Sequence, residues 1–302
     1  MKILLIIPIY HPDHKFIDLL NSVQRQSITN LPLTIIDSGS DEEYLQVVGR
    51  MDNVQIKKID PADFNHGGTR QQAIDDNPDY DIYIFLTQDA ILVDVDSICN
   101  IVAAFDNPKI GCAYGRQLPH KGASIFAKIA REFNYGEESQ IRFLSDREKY
   151  GIKTPFISNS FAAYRRNAVL ETGGFPNNTI LSEDMCLAAR MLLKGWGVAY
   201  VAEAQVYHSH DYTIWQEFKR YFDIGVFHAR EDWIRNTFGQ AEGTGGKYVK
   251  YELQHVYKNP FLLGEMVLRD GAKYLGYRLG TSECRLPDGL KRRISMMPGF
   301  WT

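Results

Sequence analysis

The stretch Tyr83-Ile84-Phe85-Leu86-Thr87-Gln88-Asp89-Ala90 decides the architecture. Aromatic and β-branched residues run unbroken to Leu86 and stop at a polar corner with one acid. This is the pattern of a buried strand that delivers Asp89 to the carboxyl edge of a sheet. Ligands of α/β sheets sit at that edge. An Asp there also serves as the cap of a following helix, so the stretch alone leaves both roles open.

Working outward, residues 2–9 form another continuous apolar strand, followed by the loop Tyr10-His11-Pro12-Asp13. Phe16, Leu19, Leu20 and Val23 then recur at helical spacing with Asp13 as N-cap. Residues 33–36 repeat the strand signal and end in Asp37-Ser38-Gly39-Ser40; residues 54–59 alternate as a third strand. The run Asp63-Phe64-Asn65-His66-Gly67-Gly68-Thr69-Arg70 leads into a helix ending near Asp76. Beyond Asp89 the pattern predicts a helix over 97–105, a strand over 110–114, a helix over 123–133 and a strand over 156–164. Gly173-Gly174-Phe175-Pro176 marks a turn. Glu183-Asp184 opens a helix that buries Leu187, Met191 and Leu192 and closes with Gly195 as its cap. A last strand, 198–207, runs into His208-Ser209-His210-Asp211. The alternation predicts an α/β fold with a mostly parallel sheet of nucleotide-binding type. Neither GxGxxG nor GxxxxGK[ST] occurs, so dinucleotide and P-loop readings lack their fingerprints. From residue 212 aromatic and charged residues take over at helical spacing. The reading divides the chain into 1–210, the sheet domain, and 211–302, a mainly helical extension.

The 302 residues are 44% hydrophobic, enough for a large core. The net charge of -3 hides an asymmetry, about +5 from Thr244 onward and about -8 before it. The acidic body disfavours nucleic acid as a partner. Four scattered cysteines suggest neither a zinc site nor a disulfide framework and fit a reducing compartment. The short apolar start is stopped by Pro8, and no run reaches the roughly 18 apolar residues of a membrane span. The expectation is a cytoplasmic protein, with the inner face of the cell membrane as a possible peripheral station.

The ordered set Pro8-Ile9-Tyr10, Asp37-Ser38-Gly39-Ser40, His66-Gly67-Gly68-Thr69-Arg70, Thr87-Gln88-Asp89, Gly173-Gly174-Phe175 and Glu183-Asp184 resembles family 2 of the inverting nucleotide-sugar glycosyltransferases, which have the GT-A fold. The resemblance covers about the first 210 residues. Phe64-Asn65-His66-Gly67-Gly68-Thr69-Arg70, Leu86-Thr87-Gln88-Asp89-Ala90 and Val206-Tyr207-His208-Ser209-His210 are similar to its bacterial dTDP-rhamnosyltransferase branch. The resemblance implies Mg²⁺ or Mn²⁺ on Asp89, the last acid of the family's Asp-x-Asp; Thr87 stands where the first acid would be. Hard cations of this kind take carboxylate and phosphate oxygens. His208 and His210 share a face if the strand continues, and the resemblance suggests that one completes the metal shell, with His208 favoured and His210 placed toward the acceptor. It implies Asp184 as the base that takes the acceptor's proton, with Glu183 orienting neighbours on the acceptor side. An acid in a first helical turn also simply favours the helix dipole. Asp37 is implied to bond the nucleotide base, with Pro8 and Tyr10 lining the same pocket and Gln88 among the nucleotide-sugar residues.

Read from the residues themselves, Gly67 and Gly68 clear space for backbone to approach a ligand, and Arg70 offers a donor fork to phosphate. Arg70 could instead pair with Asp75 or Asp76. Gly174 and Phe175 shape the acceptor side or merely form a turn. In the extension, Tyr221, Phe222, Phe227, Trp233 and Phe238 read as core or homodimer contacts. Lys291 to Arg293, with Ile294, Met296, Met297, Phe300 and Trp301, carry the basic and apolar character of a segment on an anionic membrane surface. The expected activity is transfer of L-rhamnose from dTDP-L-rhamnose to a saccharide or lipid-linked saccharide in cell-surface polysaccharide synthesis. The alternatives are the same mechanism with a UDP-hexose, a sugar-nucleotide nucleotidyltransferase, whose glycine-rich basic loop after the first strand is missing, and a catalytically silent binding protein.

Overall fold

The apolar runs become strands, and the strands become one sheet. In the computed structural model, which describes residues 1–239 and 242–301, the chain begins β1 (Ile3–Ile9), α1 (His14–Gln24), β2 (Leu33–Asp37), α2 (Glu42–Val48), β3 (Val54–Lys58), α3 (His66–Asp75) and β4 (Ile82–Leu86). It continues β5 (Ile91–Leu92), α4 (Ser97–Ala103), β6 (Ile110–Leu118), α5 (Ile125–Asn134), β7 (Gln140–Arg142), α6 (Arg147–Tyr150), β8 (Phe161–Arg165), α7 (Arg166–Glu171), α8 (Glu183–Leu193) and β9 (Gly197–Tyr207). Five helices follow, α9 (Ile214–Arg230), α10 (Asp232–Phe238), α11 (Glu242–Val256), α12 (Pro260–Gly280) and α13 (Asp288–Ile294).

The nine-stranded sheet has the order β3-β2-β1-β4-β8-β6-β9-β5, with β7 also on β9. Strands β1, β2, β3, β4, β6 and β9 run one way; β5, β7 and β8 oppose them. The sheet is therefore mostly parallel, as the alternation predicts, and its central strands β1, β2 and β4 are buried on both faces, whereas the edge strand β3 is not. Leu4, Ile6, Tyr83 and Phe85 point into one core; Leu5, Ile7, Ile84 and Leu86 point into the other. The short strands β5 and β7 carry too few residues for a periodic signal.

Two expectations shift. The strand predicted over 156–164 begins only at Phe161, because the backbone N–H of Asn159 is donated to the Asp184 carboxylate at 2.9 Å instead of to a neighbouring strand. The helix with the two glycines starts at His66, capped by Asn65, whose Oδ1 accepts from Gly67 N at 3.1 Å and Gly68 N at 2.8 Å.

The change of texture near residue 210 marks where the sheet ends. The helices after it share the sheet's core: Phe222, Phe227 and Phe238 are buried in the same cluster as Tyr83 and Phe85, with Trp233 packed against it. The last segment also turns inward. Asp223 on α9 accepts from Ser295 Oγ at 2.7 Å and Met296 N at 2.8 Å, Ile294 and Trp301 are buried, and Met297 and Phe300 lean on the core. Lys291 is buried on Glu283 at 2.8 Å, and with Arg230 it brackets the Trp301 ring. Residues 291–301 thus do not present the apolar and basic face expected of them, because most of those side chains are already bound within the protein.

Candidate active site

The carboxyl ends of β1, β2, β4 and β9 converge. Strand β4 delivers Asp89 three residues past Leu86, and β9 delivers His208 and His210 just past Tyr207. His208 Nε2 lies 3.5 Å and His210 Nδ1 3.9 Å from Asp89 Oδ2, and one donor atom from each of the three falls within 4.8 Å of the others. The two-residue spacing does put both histidines on one side, with His210 stacked on Tyr212 at 5.1 Å between centroids.

The His208 ring is held by what lies behind it. Its Nδ1 donates to Gln117 Oε1 at 2.9 Å, an oxygen that also accepts from Arg131 and therefore takes no proton of its own. Nε2 is left as the lone-pair nitrogen, directed at Asp89. Burial pushes the imidazole down to about 3, so it stays neutral. The donor set, one carboxylate oxygen and two imidazole nitrogens, fits a divalent ion. Ligand atoms about 2.1 Å from such an ion lie roughly 3 to 4 Å apart, and the two separations from Asp89, 3.5 and 3.9 Å, fall in that range. Nitrogen donors favour Mn²⁺ over Mg²⁺.

The second carboxylate centre forms at the start of α8. Ser182 enters it with φ of 58°, a left-handed conformation uncommon for serine and of the kind that gathers at functional sites. Asp184 Oδ2 accepts from Asn159 N at 2.9 Å and Oδ1 from Met185 N at 2.7 Å. Burial, and then the neighbouring Glu183 charge, raise the Asp184 carboxyl to about 7. Glu183 has the opposite fate. Burial works to raise it, but Arg70 at 3.0 Å, with His66 and the Asn159 amide at 2.9 Å, carries it below the ordinary range. Two adjacent carboxyls are driven apart, one fixed as an anion and the other able to exchange a proton near neutrality. The loop 158–160 joins the two centres: Asn159 holds Asp184, and Ser160 Oγ lies 3.4 Å from His208 Nε2.

Around this edge the other expected residues fall into place unevenly. Gln88 accepts from Tyr10 N at 2.8 Å and donates to Tyr10 O at 3.1 Å, so it stitches the end of β4 to the end of β1 and leaves the Tyr10 ring exposed beside Pro8. Asp37 is buried at the end of β2, with Oδ1 accepting from Gly39 N at 3.2 Å and Ser40 N at 2.8 Å. Beside His210 opens a recess of 370 Å³ whose wall includes Lys15, His120, Lys121, Ser209 and Tyr212.

Residues 84–222 match the family described as glycosyl transferase family group 2. The chain is 49% identical over its whole length, and over 96% of the relative, to O-antigen chain rhamnosyltransferase RfbN of Salmonella typhimurium. It is 44% identical over 98% of its length, and 95% of the relative, to O-antigen chain rhamnosyltransferase WbaN of Salmonella anatum. The chain belongs to the family 2 glycosyltransferases. Solved structures share the fold: the Pyrobaculum calidifontis mannosyltransferase PcManGT, in complex with GDP-Man and Mn²⁺, has a TM-score of 0.58 at 15% identity, covering 99% of this chain and 84% of that one. Residues 1–349 of S. aureus TarS with UDP-GlcNAc give a TM-score of 0.57 at 15% identity, covering 94% and 92%.

In this glycosyltransferase, several residues do other work than their motifs suggested. Arg70 meets neither a ligand edge nor Asp75 or Asp76, since it is buried against Glu183 and the His66 carbonyl. Gly67 does make room for backbone, but the backbone is the protein's own: a Cβ there would lie 1.7 Å from the Pro176 carbonyl oxygen. Phe175 is buried edge-on to Phe85 and Tyr164, and Gly174, at φ 75°, lies under Gln71, so both build the core behind the site and not its acceptor wall. His210 stands with Asp89 and His208 and also lines the recess beside them. Gln117, Asn159, Lys15 and His120 were not flagged by the sequence. None belongs to a recognisable motif, and Asn159 alone had a signal, lying in the polar interruption Ser158-Asn159-Ser160 of an otherwise apolar strand pattern.

Proposed function

We propose that this chain is an inverting rhamnosyltransferase that moves L-rhamnose from dTDP-L-rhamnose to a lipid-linked saccharide during O-antigen-type polysaccharide synthesis, acting at the inner face of the cell membrane. The observation that carries the mechanism is the loop 158–160, which ties a carboxylate titrating near 7 to the edge bearing Asp89, His208 and His210. Both named relatives are O-antigen chain rhamnosyltransferases over nearly their full length, which supports the sugar and its destination.

In this reading the thymine end of the donor lies between Tyr10 and Asp37, and the diphosphate lies toward Asp89. Asp89, His208 and His210 would hold Mn²⁺ or Mg²⁺, which supplies charge neutralisation for the departing diphosphate. Lys15 adds positive charge on the same side, and His120, which burial keeps neutral, adds a polar imidazole. Asp184 takes the proton of the attacking acceptor hydroxyl onto its carboxylate as the new glycosidic bond forms, a role worth roughly 10²–10⁴ in rate. The Glu183 anion, held by Arg70 and Asn159, keeps that proton affinity high by repulsion.

The test is titration calorimetry with dTDP-L-rhamnose, dTDP-glucose and UDP-glucose, each with Mn²⁺ and with EDTA, on the wild type and Asp89→Asn. Preference for dTDP-L-rhamnose, weakened by EDTA and by the substitution, is the expected result. Preference for UDP-glucose would reassign the donor.

A further inference from the structure

Helix α12 is inside out. Arg269, Asp270 and Lys273 face inward: Arg269 bonds Glu217 at 3.0 Å, Glu265 at 2.7 Å and the Tyr212 carbonyl at 2.8 Å, while buried Lys273 meets Asp270 at 3.2 Å and Glu217 at 3.7 Å. Its outward face carries Phe261, Val267, Leu268, Tyr274, Leu275 and Leu279, with Phe261 87%, Leu268 62% and Tyr274 64% exposed. At 100° per residue these positions, with Gly264 and Gly271, fall on one side of a 21-residue helix about 30 Å long. Val249 and Leu253 on helix α11, and Tyr257 just after it, are also exposed. An ordinary surface helix does the reverse, and a contiguous apolar face of this length marks an interaction site.

Charge selects the partner. All five acids after Thr244 are paired, to Arg230, Arg269, Lys273 or Lys291. Lys247, Lys250 and Lys258 stand exposed along and just after α11, and Arg278 stands exposed at the far end of the α12 face; none has an ion pair among the described residues. The apolar face is thus bracketed by cations. A second copy would bring the same cations against them, whereas an anionic bilayer complements both properties. No helix among the described residues is long and apolar enough to cross a membrane, so α12 would lie along the surface.

We infer that α12 and the outer stripe of α11 form a docking face for an anionic lipid bilayer. The inference shares with the proposed function a lipid-borne acceptor, but its test needs neither donor nor acceptor. Arg269 links this face to Tyr212, two residues past His210, so docking would fix the active edge at a set orientation to the bilayer.

The experiment is flotation of the full-length protein with vesicles of phosphatidylethanolamine and phosphatidylglycerol, or of phosphatidylcholine alone. It compares wild type, Leu268→Glu/Leu275→Glu and Lys250→Glu/Lys258→Glu/Arg278→Glu, with thermal melting and solution mass of each. Expected are wild-type binding to the anionic vesicles, weakened by salt, and a loss of at least about tenfold in both variants at unchanged melting temperature and mass. The salt series on the wild type tests the charge argument even if a variant fails to fold. Absence of wild-type binding, salt-insensitive binding, or equal binding by folded variants would overturn the inference. A wild-type dimer that the leucine substitutions convert to monomer would also overturn it and assign the face to a second copy.

Discussion

Asp184 Oδ2 accepts the backbone N–H of Asn159 at 2.9 Å, while the Asn159 side chain donates to Glu183 Oε1 at 2.9 Å. One residue thereby holds both members of the acidic pair, and burial raises Asp184 to about 7. A base must be ionised to act, so the rate should climb about tenfold per pH unit below 7 and level off above it. Asp184→Asn removes the base with little change of shape and should lower kcat by roughly 10²–10⁴ while donor binding by calorimetry stays intact. A pH profile of kcat/KM for both proteins checks this.

The ion pair behind the base has a separate, structural signature. Arg70 and Glu183 are both buried, and removing one partner of such a pair costs roughly 3–5 kcal/mol. Arg70→Met should therefore lower stability by that amount in urea unfolding. It also removes the cation that holds Glu183 ionised, so whatever activity remains should show a shifted pH limb.

Metal affinity should depend on a residue that touches no metal. Gln117 accepts from His208 Nδ1 at 2.9 Å and so fixes which nitrogen faces Asp89. Gln117→Leu frees the ring to turn and should weaken Mn²⁺ binding by roughly 10–100-fold, with saturating Mn²⁺ restoring much of the activity. Asp89→Asn should not be rescued in this way. Metal titrations of activity and of calorimetric heat separate the two.

Gly67 faces the Pro176 carbonyl at a distance that leaves no room for a methyl group. Gly67→Ala must push α3 away from the segment before α8 and should destabilise the protein by roughly 1–3 kcal/mol or more. Thermal melting reads this directly, and Gly68→Ala, where the nearest atoms lie at 3.4 Å or beyond, should be far milder.

Strand identity was legible because β1, β2 and β4 are apolar runs long enough to signal burial by themselves, and Asp89, Asp184 and His208 stood out because each lies at the end or start of such an element. What was hidden depends on contacts between distant segments. Arg70 reads as a free cation until Glu183, 113 residues on, is brought beside it. Phe175 reads as a turn residue until Phe85 and Tyr164 close over it. The tail from Lys291 to Trp301 has the composition of a membrane segment, but composition does not reveal that Asp223 and Arg230 bind it inward. The apolar face that is exposed lies on α12, where a mixed sequence concealed that the charged side is the buried one.

The most direct measurement is proton NMR of the first product formed from dTDP-L-rhamnose and a saccharide acceptor with Mn²⁺, run on the wild type and on Asp184→Asn. Inversion at the anomeric carbon by the wild type, and no transfer above background by the variant, is the predicted result. Retention of configuration, or undiminished transfer by Asp184→Asn, would contradict a mechanism in which Asp184 removes the acceptor proton as the sugar inverts.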